Sequence, residues 1–207
     1  RGRAVIGYEA LVRGPADSAL HNPLVLFGTA ERCGRLAELD LLCQRLAAAH
    51  FLARDLPGLL FLNMVPSLLL DPAYDARQAV EQLRATGLPP QRVVLELSER
   101  YPLEDSQGVR RALQPYLEAG YRVAIDDLGA GYASLRLWSE LRPAYVKIDQ
   151  HFIRGLDDDA VKREFVRSMG DMARSAGAQV VAEGVETAGE FGVLAGLGID
   201  LAQGYHL

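Results

Sequence analysis

The chain has 207 residues, 49% of them hydrophobic and 24% charged, which fits one ordinary globular core and is short for two. A net charge of −5 leaves no basic footprint for a nucleic-acid polymer. No apolar run has the length of a membrane helix or the layout of a signal peptide, so no membrane contact is expected from this segment.

Apolar β-type runs alternate with helical patterns along the chain. Residues 4–12 (AVIGYEALV) read as the first strand, and a helical pattern spans 36–53. A second β-type run covers 59–64, followed by a helical pattern over 74–87 and a third run over 92–98. The helical stretch 106–120 contains Pro115, which predicts a kink or a restart. The fourth run, 122–126, ends in the pair Asp126 and Asp127, then a loop with Gly129 and Gly131, then a helix-like run. The remaining β-type runs are 145–149, 178–183 and 199–205, with helical patterns over 159–177 and 187–198. Gly87, Gly120, Gly177 and Gly198 each stand where a helix should stop. Cys33 and Cys43 carry no partner motif and read as reduced core thiols, which suits the cytosol.

Strands alternating with helices predict a parallel sheet with crossover helices. An open doubly wound sheet is one solution. A (β/α)8 barrel needs eight strands and about 250 residues. The seven runs, with the segment starting and stopping on a strand, fit a barrel lacking one terminal strand. Because the segment starts at Arg1, it reads as a piece of a longer chain.

Each β-type run ends in a residue that is costly to bury: Glu9, Asn63, Glu96, Asp126 with Asp127, Lys147 with Asp149, Glu183, and Gln203. In a parallel barrel all strand C-termini lie on one face, which carries the active site. Glu9, Asn63, Glu96 and Asp126 are oxygen donors, suited to Mg²⁺, Mn²⁺ or Ca²⁺ rather than thiolate-held zinc. His21, His50, His151 and His206 are scattered and read as surface or packing residues. Adjacent carboxylates repel, and two shared cations about 3.5–4 Å apart would cancel that repulsion while serving phosphoester cleavage. The loop GAGYAS has Ser134 where a dinucleotide fingerprint needs its third glycine, and the carboxylates before it would repel a pyrophosphate. Lys147 is a conceivable Schiff-base nucleophile, but its acidic neighbours favour the charged ammonium, so orienting water or balancing phosphate charge is the better reading.

YEALVR (8–13), LELSE (95–99), DDLGAGYASL (126–135), VKID (146–149), AEGVE (182–186) and QGY (203–205) together resemble the EAL domains, phosphodiesterases and receptors for the bacterial second messenger cyclic di-GMP. The motifs occur in the family's order and cover essentially the whole chain. The resemblance implies a modified TIM-type (β/α)8 barrel with one antiparallel strand, truncated at both ends here. It implies a single EAL domain over 1–207 within a longer, multidomain signalling protein, located in the cytoplasm or tethered to a membrane through other domains. The implied reaction is hydrolysis of cyclic di-GMP to linear pGpG with two Mg²⁺ or Mn²⁺ ions. The alternative is a catalytically silent receptor.

The resemblance also assigns roles. Glu9, Asn63, Glu96 and Asp126 would hold the first metal, and Asp126 and Asp127, helped by Glu183, the second. Lys147 would hold the attacking water, and Glu183 would act as general base. Leu11 and Arg13 would contact the substrate, while Asp149, Glu186 and Gln203 would line its guanine and ribose side. Glu99 would anchor the glycine loop. A homodimer and attached regulatory domains are the implied partners. The chain departs from the family at Val65, where a Ser is usual, at Ser98 for Thr, and at Leu128, Ala130 and Ala133 in the glycine loop. The loop changes bear on activity level and regulation.

Overall fold

The computed structural model describes residues 4–98, 105–129 and 134–207. The chain divides into two compact units, residues 1–96 with 108–122, and residues 97–107 with 123–207.

In the first unit, β1 (Gly7–Ala10) leads into α1 (Pro23–Arg32) and α2 (Leu36–Ala53), then β2 (Leu59–Asn63), α3 (Ala76–Arg84), β3 (Val93–Ser98) and α4 (Ser106–Ala119), the last two crossing the division. Local chemistry explains the helix starts. The Asn22 side chain accepts the Leu24 N–H at 2.8 Å ahead of Pro23, and Asp75 caps α3 by accepting the Gln78 N–H at 3.0 Å. β1 pairs with β2 and β2 with β3, both parallel. Leu60, Leu62, Val94 and Leu95 are buried, the continuous apolar pattern expected of strands covered on both faces.

In the second unit, β4 (Arg122–Leu128), whose first residue belongs to the first unit, is followed by α5 (Ser134–Leu141), β5 (Tyr145–Ile148), α6 (Gln150–Ile153), α7 (Ala160–Ala176), β6 (Gln179–Glu183), α8 (Ala188–Gly196) and β7 (Leu201–Gln203). The pairings β4–β5, β5–β6 and β6–β7 are all parallel. α7 stops at Gly177, which takes φ +74° and whose N–H bonds back to the last turn. α8 starts with a capping box between Thr187 and Glu190.

The parallel α/β architecture agrees with the sequence, but the antiparallel strand does not. Every pairing recorded among the described residues is parallel, and the three described residues ahead of β1 are not strand. Pro115 does not divide α4, which runs through it as one helix. β1 and β7 are shorter than the runs that announced them. Cys33 is not a core thiol: it terminates α1 on the way into α2 and is exposed, and Cys43 is only half-buried.

Candidate functional site

The second unit gathers its polar strand ends around Lys147. β4 and β5 pair at Ala124–Tyr145 and Ile125–Val146, and next at Leu128–Ile148. Two residues, Asp126 and Asp127, therefore stand opposite the single residue Lys147, which is a β-bulge. On a regular strand neighbouring side chains point to opposite faces. Here Asp127 takes φ +58°, a left-handed conformation that aspartate tolerates better than most residues. Its Oδ2 accepts the Ser98 hydroxyl at 2.9 Å. The fourth run, expected over 122–126 with a loop to follow, thus extends further: β4 continues to Leu128, and the bulge turns the second carboxylate.

Asp126, Asp127 and Glu183 each place a carboxylate oxygen within 4.8 Å of the others. Lys147 is 2% exposed, with Nζ 2.7 Å from Glu183 Oε1 and 3.1 Å from Asp126 Oδ1. The second contact is at ion-pair distance but not aligned as a hydrogen bond. Lys147 balances one of the three carboxylates, which leaves two negative charges in a half-buried place when all are ionised. Such a set of hard oxygen donors fits a divalent cation of the Mg²⁺ or Mn²⁺ type. An ammonium held between carboxylates is also a poor Schiff-base nucleophile.

The same face continues along the unit. Lys147 pairs with Val181, so Glu183, two residues on, shares its face, and Gln203 pairs with Glu183. Asp149 is buried and caps α6, accepting the His151 N–H at 2.7 Å. Glu186 is exposed and forms a 2.6 Å ion pair with Arg154.

The first unit carries a second set of oxygen donors. Asn63 of β2 pairs with Glu96 of β3, and Phe61 with Glu9 of β1, so Glu9, Asn63 and Glu96 share one face. Asn63 Nδ2 reaches Glu9 Oε1 in a long contact of 3.5 Å. Glu96 is fully buried. Leu11 and Arg13 lie beyond the end of β1 and are exposed, with the Arg13 guanidinium donating to the Val12 carbonyl at 2.7 Å. Glu99, Ala130, Gly131 and Ala133 lie outside the described residues.

A model of the EAL domain matches residues 1–207. The chain belongs to the EAL domain family. Among curated relatives, this EAL domain is 30% identical over 212 residues to the probable cyclic di-GMP phosphodiesterase PdeI of Escherichia coli, covering 98% of the chain and 26% of PdeI. It is 27% identical over 203 residues to the blue light- and temperature-regulated antirepressor BluF of the same organism, covering 98% of the chain and 49% of BluF. Among solved structures it is similar to Klebsiella pneumoniae BlrP1 in its manganese and cyclic di-GMP complex, at 32% identity and a TM-score of 0.84, over 98% of the chain and 51% of BlrP1. The EAL domain thus spans about half of BluF and about a quarter of PdeI.

Two features escaped the sequence. The bulge at Asp126–Asp127 leaves no mark in a pattern of apolar and polar letters. Buried Asp40 and Gln44 on α2 do leave one: together with Ala48 and Phe51 they fall on the helix's inward stripe. Polar residues at core-facing positions of a helical repeat were the available signal.

Proposed function

We propose that this EAL domain hydrolyses cyclic di-GMP to linear pGpG, using Mg²⁺ or Mn²⁺ held by Asp126, Asp127 and Glu183 and by Glu9, Asn63 and Glu96. The observation that carries the reading is the convergence of three carboxylates within 4.8 Å of one another beside a buried lysine. The phosphodiesterase names of the relatives and the manganese and cyclic di-GMP complex of BlrP1 support it.

When bound, the cations supply Lewis acidity: they offset phosphodiester charge and make water nucleophilic at neutral pH. Glu183 takes a proton from the attacking water, and Lys147, 2.7 Å away, holds that carboxylate in place and directs the water. The water oxygen bonds to phosphorus, the bond from phosphorus to the ribose 3′ oxygen breaks, and that oxygen takes a proton from solvent as it leaves. Arg13, exposed beyond β1, contacts a substrate phosphate, with Leu11 beside it. Asp149, Glu186 and Gln203 line the guanine and ribose side, and Glu99 anchors the glycine loop. The domain acts as a homodimer; regulatory domains attached to it are in keeping with the fraction of its relatives that it spans.

A second reading is a catalytically silent receptor, favoured by the likeness to BluF, named as an antirepressor. Incubation with cyclic di-GMP and Mn²⁺, with nucleotides resolved by chromatography, separates the two. Accumulating pGpG supports the enzyme; a bound nucleotide that stays cyclic supports the receptor.

A further inference from the structure

α2 buries a stripe that is only half apolar. Asp40 and Gln44, one turn apart, are 3% and 2% exposed. Burying a carboxylate and an amide is costly unless both are satisfied, and leucine at either position would fill the space without that cost. Their partners show where the polarity is used. Gln44 Nε2 donates to Asp40 Oδ2 at 2.8 Å and, in a longer contact of 3.4 Å, to the backbone carbonyl of Asn63. Asp40 also accepts the backbone N–H of Val65. Both backbone groups belong to the short stretch where the chain leaves β2. The same stretch is held from the sheet by the Met64 N–H donating to the Glu96 carbonyl at 3.0 Å. The Asn63 side chain is exposed at this exit and reaches Glu9.

We propose that Asp40 and Gln44 are positioning residues, which fix the backbone immediately after Asn63, at its carbonyl and at the Val65 N–H, and so aim the Asn63 side-chain oxygen at the cation that Glu9 and Glu96 share with it. The inference rests on the reading of Glu9, Asn63 and Glu96 as metal donors. Hydrogen bonds to a main-chain carbonyl and N–H impose a direction that apolar packing does not. A donor aimed in this way loses affinity when its support goes, typically by about 10–100-fold.

The test uses the whole chain with Mn²⁺ alone as the probe, titrated by the electron paramagnetic resonance signal of free Mn²⁺. Gln44→Leu and Asp40→Leu are each compared with Asp40→Asn, which keeps an acceptor oxygen. Circular dichroism and the metal-free Tm report folding. The expected result is Mn²⁺ affinity weakened about tenfold or more in Gln44→Leu and Asp40→Leu, with Asp40→Asn close to the parent. Should Asp40→Leu fail to fold, the contrast between Gln44→Leu and Asp40→Asn carries the same decision. Folded leucine variants that lower Tm yet titrate Mn²⁺ like the parent would overturn the positioning role and leave the proposed function standing. A parent chain that takes up no Mn²⁺ would overturn the metal reading itself.

Discussion

Asp127 has a backbone conformation that few side chains adopt, and the Ser98 hydroxyl donates to its carboxylate. Removing that hydroxyl should loosen the donor without removing it. Ser98→Ala is therefore expected to lower turnover about tenfold at limiting Mn²⁺ and to recover most of it at saturating Mn²⁺, measured as initial rates across a metal titration. Asp126→Asn differs, because Asp126 touches both Lys147 and the carboxylate cluster. It should abolish Mn²⁺ uptake and turnover together, and a variant that keeps its metal stoichiometry by calorimetry would remove Asp126 from the donor set. Asp40 gives the clearest pH dependence. Burial pushes its carboxyl up to about 7 against an opposing hydrogen bond from Val65. In the unfolded chain it would ionise near 3.8, so between about pH 4 and 7 the folded state holds the extra proton. The contribution of Asp40 to stability is present in full below that window and is lost as pH rises through it, by at most about 4 kcal/mol. The stability difference between the parent and Asp40→Asn should shift across that window in denaturant titrations, and a constant difference would contradict it.

Glu190 serves a whole element. Its carboxylate accepts the N–H groups of Gly155, Glu186 and Thr187 at 2.9, 2.8 and 3.0 Å, tying the start of α8 to the turn after α6. Burial pushes its carboxyl up, but these donors and the Thr187 hydroxyl outweigh it and hold it below the usual glutamate value. Its contribution is therefore present above the unfolded glutamate pKa and is lost as pH falls through the lower folded one. Glu190→Ala would leave three N–H groups without their acceptor, and a loss of about 2 kcal/mol, or roughly 4–8 °C in Tm, is expected by calorimetry. At β4 the glycine after the bulge is also fixed by its surroundings. A Cβ on Gly129 would come within 2.2 Å of the Phe152 ring, which stacks on Phe165, and the residue takes φ +101°. These elements also show how far the sequence could be read. Strands ended by a costly residue, such as Asn63, Lys147 and Glu183, were visible because an apolar run stops abruptly there. α3, α4, α7 and α8 were visible through period and glycine stops, and α2 through its period alone. α1 was not, since no residue of it is buried and its apolar letters mark no single face. α6 is four residues long, too short for periodicity to register. The site's residue types were legible, but the bulge that turns Asp127 depends on a backbone angle and not on composition.

For the molecule as a whole, clustered carboxylates disfavour the fold until their charge is neutralised, and a ligand that binds only the folded state stabilises it by mass action. Millimolar Mn²⁺ or Mg²⁺ should therefore raise Tm, and the rise should vanish in Asp126→Asn. A Tm unmoved by either ion would argue against a preformed donor set. None of the helices among the described residues is long and apolar enough to cross a membrane. The central claim is catalytic, and one assay addresses it most directly: the chain incubated with cyclic di-GMP and Mn²⁺, with the nucleotides resolved by chromatography over time. Linear pGpG should accumulate, stop on addition of a chelator and resume when Mn²⁺ is restored. Cyclic di-GMP that is bound by the chain yet recovered intact under the same conditions would contradict the account.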